Sequence, residues 1–303
     1  MYRILATDGI AKSAAAKLAS MGYEVVQEFY EPDVLKEKVK EVDALVVRSA
    51  TKVRVPIIDA AAEAGRLKII IRGGVGVDNI DVDYAREKGI LVANTPNSSS
   101  ASVAELAIAH MLALSRFVAA ANVTMRQGKW EKKAYKGMEL TGKTLGLIGM
   151  GRIARETAKR ASALGMQVIY TNRSGHSPEN DPYIRVELEE LLAKSDFVSL
   201  HMPASKGQAA LINAETIAKM KDGAYLINTA RGALVDEDAL CDALDSGKLA
   251  GAGLDVYQEE PSKNERLLSH PKVSVTPHIG GTTKEAQDRI GQEIVEHIAR
   301  VLK

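Results

Sequence analysis

The stretch Leu145-Gly146-Leu147-Ile148-Gly149-Met150-Gly151-Arg152-Ile153-Ala154 decides how this chain is read. It passes from an apolar strand pattern through a glycine turn into the start of a helix. Gly149 permits the tight turn, and Gly151 lets a ligand's phosphates come close to the backbone. The helix start beyond them offers unpaired N–H groups and the positive end of its dipole. Ala154 fills the third small position. A glycine pattern alone would equally suit an ordinary strand-to-helix turn, so context decides. The next strand, Gln167-Val168-Ile169-Tyr170, follows Gly165 and ends near Asn172. That matches the ~20-residue spacing of a dinucleotide-binding unit. Gly149, Gly151, Arg152 and Ile153 are therefore expected to bind a pyrophosphate, and Asn172 with Arg173 to meet the ribose.

Outward from this turn, short β-branched runs alternate with helical patterns. One set comprises Arg3–Ala6, Glu24–Val26, Ala44–Val47, Lys68–Ile71 and Ile90–Val92. A second comprises Thr144–Ile148, Gln167–Tyr170, Phe197–Leu200, Ala224–Ile227, Ala252–Leu254 and Val273–Val275. Many are apolar at consecutive positions, the pattern of strands buried on both faces in parallel sheets. The expected fold class is α/β, with two doubly wound parallel-sheet domains, the larger a Rossmann-type dinucleotide-binding domain. A single long helix is expected from Ser102 to Arg126, after the Pro96–Ser100 turn, and a final helix from Thr282 to Leu302. The expected domains are 1–97 plus 282–303 for substrate and 98–281 for dinucleotide.

Bulk properties narrow the function. The 303 residues are 46% apolar and 26% charged, with a net charge of +1 and both signs spread along the chain. A nucleic-acid-binding surface is not indicated. The lone cysteine, Cys241, excludes an intramolecular disulfide, and a cytoplasmic setting is expected. No apolar stretch reaches the roughly 18 residues of a transmembrane helix, so no membrane partner is expected.

Three later segments place polar residues at strand carboxyl ends, where open α/β sheets bind ligands. They are Asn228-Thr229-Ala230-Arg231-Gly232, Asp255-Val256-Tyr257-Gln258-Glu259-Glu260-Pro261 and Thr276-Pro277-His278-Ile279-Gly280-Gly281. Hydride transfer from an alcohol needs a base, and histidine titrates near working pH. It needs a carboxylate to orient that base and a guanidinium to hold a substrate carboxylate. Arg231, either Glu259 or Glu260, and His278 supply these groups. Each alone would pass for a surface or structural residue; together, behind a dinucleotide turn, they point to catalysis.

The same segments resemble the signatures of the D-2-hydroxyacid dehydrogenase family. The resemblance spans essentially the whole chain. It implies a catalytic triad of Arg231, Glu260 and His278, selecting Glu260 over Glu259, and places Asp255 near the cofactor's carboxamide; Thr229 is also expected to bind the cofactor. It implies NAD as cofactor. Local chemistry adds NADP, because Asn172 replaces the usual acidic residue and Arg173 and Ser174 follow it. Asparagine can bond a ribose hydroxyl without repelling a 2′-phosphate.

In the first domain, Val47-Arg48-Ser49-Ala50-Thr51-Lys52-Val53 and Ile71-Arg72-Gly73-Gly74-Val75-Gly76-Val77-Asp78 both follow strands. Arg48, Arg72 and the backbone at Gly73 and Gly74 suit an anion. These segments, with Gly128-Lys129-Trp130-Glu131-Lys132, resemble the phosphoglycerate dehydrogenase branch of the family. That implies oxidation of 3-phosphoglycerate to 3-phosphohydroxypyruvate, the entry to serine synthesis. Lys132, where the branch has Arg, would reach a neighbouring subunit's site in a homodimer. Rival readings are a glyoxylate or hydroxypyruvate reductase, which has no substrate phosphate to bind, and a dinucleotide-sensing corepressor on the same fold. Since the chain ends at Lys303, feedback inhibition through an added serine-sensing domain is not expected.

Overall fold

The structure, a computed structural model, describes residues 1–175, 181–204 and 207–303. It divides into two compact units, residues 1–99 with 281–303 and residues 100–280.

The smaller unit begins with β1 (Arg3–Ala6), α1 (Lys12–Ser20), β2 (Glu24–Val26), α2 (Pro32–Lys38) and β3 (Ala44–Val47). There follow α3 (Val55–Ala64), β4 (Ile69–Arg72), α4 (Val82–Glu87) and β5 (Leu91–Asn94). The strands form one parallel sheet in the order β2-β1-β3-β4-β5. Each central strand is buried on both faces, as its unbroken apolar run requires. One face packs Leu5, Leu45 and Ile70 on Leu35, Ile57 and Ile58 from the helices. The other packs Ile4, Val46 and Ile71 on Leu18 and on Ile290, Ile294 and Ile298.

The larger unit starts with α5 (Ser100–Ser115) and α6 (Val118–Arg126). Next come β6 (Thr144–Ile148), α7 (Arg152–Ala163), β7 (Gln167–Thr171), β8 (Ile184–Arg185), α8 (Leu188–Lys194) and β9 (Phe197–Leu200). It ends with α9 (Ala214–Ala218), β10 (Ala224–Asn228), α10 (Glu237–Asp245), β11 (Leu249–Leu254), α11 (Glu265–Leu268) and β12 (Val273–Val275). The chain then returns to the smaller unit with α12 (Lys284–Val301), whose first turn is capped by Thr283 accepting from the Ala286 N–H. The seven-stranded parallel sheet runs β12-β11-β10-β9-β6-β7-β8. Strand order reverses beside β6, and its carboxyl end lies next to that of β9. This is the switch point at which doubly wound sheets bind ligands.

The expected single helix over Ser102–Arg126 is in fact two, bent by 63°. Phe117 adopts φ 55°, in the left-handed region. The Ser115 carbonyl, which a continuing helix would use, accepts instead from the Met138 N–H at 2.9 Å. Among the described residues no single helix is long and apolar enough to cross a membrane.

Candidate active site

The glycine turn connects β6 to α7. Gly149 has φ 98°, and a Cβ there would fall 2.4 Å from the His201 carbonyl oxygen, so only glycine fits. Its N–H donates to the Thr171 carbonyl at 2.8 Å, tying the turn to the end of β7. A Cβ on Gly151 would meet open space. No side chain caps α7 at Gly151, and its first turn holds no acidic residue. The helix start at Gly151, Arg152 and Ile153 therefore leaves backbone N–H groups without a side-chain cap beside open space, a setting that suits an anion. Asn172 directly follows β7, and Arg173 and Ser174 after it are exposed. Thr229, just past β10, buries a hydroxyl that makes no hydrogen bond among the described residues. A dinucleotide fits these features: a phosphate at the turn and a donor or acceptor for the Thr229 hydroxyl.

Three loops after β10, β11 and β12 carry the three residues expected to be catalytic, Arg231, Glu260 and His278. His278 Nδ1 lies 2.7 Å from Glu260 Oε2, with both side chains about one-third exposed. An ionised carboxylate only accepts, so Nδ1 carries the proton and Nε2 is the nitrogen not engaged with Glu260. Burial alone would raise the Glu260 carboxyl. The His278 hydrogen bond and charge, the Tyr257 N–H and the Arg231 charge together outweigh it and hold Glu260 below the ordinary carboxylate range. The adjacent Glu259 pairs instead with Lys263, at 3.6 Å.

The Arg231 loop is held by Asn228, whose Oδ1 accepts from Ala230 N at 3.0 Å and whose Nδ2 donates to the Arg231 carbonyl at 2.9 Å. Gly232 presses this loop on the next: a Cβ there would sit 1.9 Å from the Tyr257 carbonyl carbon.

In the smaller unit, Arg48 follows β3 and Arg72 ends β4, an adjacent parallel strand. The Arg72 side chain folds over Gly74, where a Cβ would fall 1.4 Å from Nη1, and a Cβ on Gly73 would lie 3.7 Å from Arg48 Cγ. Arg48, Arg72, Gly73 and Gly74 therefore form one cluster. The Arg48 guanidinium makes no hydrogen bond or ion pair among the described residues, and burial lowers its pKa, with Asp8 opposing. Lys132 sits in an exposed 3-10 turn after α6, in the larger unit.

Residues 108–280 match the family described as D-isomer specific 2-hydroxyacid dehydrogenase, NAD binding domain. The chain belongs to the D-2-hydroxyacid dehydrogenase family. It is 51% identical to a hydroxypyruvate reductase of Thermotoga maritima, over 99% of this chain and 98% of that one. It is 44% identical to a D-3-phosphoglycerate dehydrogenase of Methanocaldococcus jannaschii; the alignment takes in this whole chain but only 58% of the relative's length. A solved NADPH-dependent glyoxylate/hydroxypyruvate reductase of Sinorhizobium meliloti superposes with a TM-score of 0.87 at 32% identity, covering 99% of this chain and 94% of that one. The protein is thus an NAD(P)-dependent oxidoreductase.

Within this dehydrogenase, several contacts that hold these loops carry no sequence signal: those of Asp8 and Asn79, and those of Asp255, a residue the sequence marked only for the cofactor. Asp8, at the end of β1, accepts from Arg48 N at 2.6 Å, Thr51 N at 3.2 Å and Thr51 Oγ1 at 2.7 Å. Asn79 Nδ2 donates to the Arg48 and Thr51 carbonyls, each at 2.7 Å. Asp255 is 1% exposed. Its Oδ1 accepts from Thr276 Oγ1 at 2.6 Å and Ile279 N at 2.8 Å, and its Oδ2 from Gly280 N at 2.7 Å. These bonds hold the His278 loop, in which His278 itself adopts φ 53°. A non-glycine residue in that region persists only where its surroundings over-determine it.

Proposed function

We propose that the chain interconverts 3-phosphoglycerate and 3-phosphohydroxypyruvate. The observation that carries this is the Arg48–Arg72 cluster on the smaller unit's sheet, additional to Arg231. One substrate carboxylate needs one guanidinium fork; two further guanidinium groups with glycine backbone beside them suit a second anion, a phosphate. His278 Nε2 takes the C2 hydroxyl proton, Glu260 stabilises the imidazolium through Nδ1, and Arg231 holds the α-carboxylate and polarises the forming carbonyl. A nicotinamide dinucleotide held at the Gly149–Ile153 turn and Thr229 would supply the acceptor for the C2 hydride.

Arg48→Ala tests the phosphate role. It should lower kcat/KM for 3-phosphohydroxypyruvate by about 10²-fold, the scale of one lost charge-assisted contact, and for unphosphorylated hydroxypyruvate by far less. Equal losses would refute it. A second reading, hydroxypyruvate reductase, is favoured by the full-length 51% match to the Thermotoga relative.

For the cofactor, the reading is dual use. Asn172 brings no charge against a 2′-phosphate, and Arg173 and Ser174 are exposed beside it. Discrimination against NADP should stay under about a thousandfold, near 4 kcal/mol, and Asn172→Asp should shift preference toward NAD. Steady-state kinetics with both cofactors checks this; stronger rejection of NADP by the wild type contradicts it.

A homodimer is part of the same reading. Helix α6 buries none of its residues, and Val118, Val123, Met125 and Trp130 are all more than half exposed. A second copy covering this surface would remove a large apolar patch from water.

A further inference from the structure

His110 lies in the middle of α5, 2% exposed, where helical spacing alone calls for an apolar residue. Gly253 on β11 lets α5 come close: a Cβ there would be 2.6 Å from His110 Cβ. The ring bridges two hydroxyls of the β12 segment, with Nδ1 2.9 Å from Ser274 Oγ and Nε2 3.1 Å from Thr276 Oγ1. Thr276 has a single hydroxyl proton, and its Oγ1 lies 2.6 Å from Asp255 Oδ1. The buried carboxylate can only accept, so that proton points to Asp255. Thr276 Oγ1 must then accept from His110, which fixes the proton on Nε2 and leaves Nδ1 to accept from Ser274. Burial lowers the His110 pKa, with Asp255 opposing, in keeping with a neutral ring.

The chain of bonds continues to the base. Asp255 receives the Ile279 and Gly280 N–H groups, and the Thr276 carbonyl accepts from His278 N at 3.1 Å and from the Tyr257 hydroxyl at 2.9 Å. We infer that His110 is a positioning residue for the reaction: through Thr276 and Asp255 it holds the loop that aims His278. This rests on His278 being the base.

The test is a set of variants of the full chain assayed for kcat and KM. His110→Leu fills the space but donates nothing, and should lower kcat about tenfold with little change in cofactor KM, since small misplacements of a catalytic group cost up to about 10²-fold. His110→Gln can place an amide N–H near the Nε2 position and should recover kcat to within about threefold of wild type. Thr276→Val cuts the same chain one step on, so adding His110→Leu to it should lower kcat no further. The inference is overturned if Leu and Gln lower kcat equally, or if the Leu and Val effects multiply. It is also overturned if His110→Leu keeps wild-type kcat while His278→Ala loses it. If His278→Ala itself turns over normally, it is the base assignment that fails. Thermal melts of each variant separate lost folding from lost aim.

Discussion

His278→Ala lowers kcat by about 10²–10⁴-fold, the usual contribution of a positioned general base, while dinucleotide affinity is retained. The ring's Nδ1 is committed to Glu260 at 2.7 Å, so Nε2 is its only nitrogen available to a substrate hydroxyl. The residues proposed to bind the dinucleotide, by contrast, sit at the β6–α7 turn and at Thr229, on other loops. Cofactor titration by fluorescence and steady-state turnover on the same preparation check both halves. Near-normal kcat removes His278 from the mechanism. Lost cofactor binding with an unchanged fold means its loop serves the dinucleotide.

Arg231→Ala is expected to cost about 2–5 kcal/mol in kcat/KM, the range for removing one member of a charged, hydrogen-bonded pair. The loss should fall on both KM and kcat, because the guanidinium binds the carboxylate and also polarises the reacting carbonyl. A second effect follows at Glu260, whose low pKa owes part of its depression to the Arg231 charge. A depressed carboxyl contributes above its ordinary range and is lost as pH falls through its folded value. Removing Arg231 raises that folded value, so the acid loss of residual activity should begin at higher pH in the variant. Profiles of kcat/KM against pH for both proteins measure this. An unshifted acid limb, or a loss confined to KM, contradicts the dual role.

The features legible in the sequence were those with local causes. Consecutive apolar runs such as Ala44–Val47 and Phe197–Leu200 signalled doubly buried parallel strands because burial on both faces leaves no polar alternation. The β6–α7 turn was legible because Gly149 and Gly151 meet backbone demands within one short segment. Partnerships across the chain were not legible. The break at Phe117 depends on Met138 reaching the Ser115 carbonyl. Strand β8 is only two residues, Ile184–Arg185, too short to show a period. Asp8 holds the Arg48 loop from 40 residues away in the chain. The periodicity of α5 counts His110 among its apolar positions, and only the placement of Ser274 and Thr276 gives its ring partners. The choice between Glu259 and Glu260 came from family resemblance; in the structure Glu260 reaches His278 and Glu259 pairs with Lys263.

The most direct measurement compares kcat/KM of the purified chain for 3-phosphohydroxypyruvate and for hydroxypyruvate, with NADH and NADPH. Turnover of both is expected, lowered by about 10²–10⁴-fold in His278→Ala, with the phosphorylated acid preferred by about 10²-fold through the anion contacts at Arg48 and Arg72. Preference for hydroxypyruvate would contradict the phosphate assignment, and cofactor binding without turnover of either acid would contradict the catalytic one.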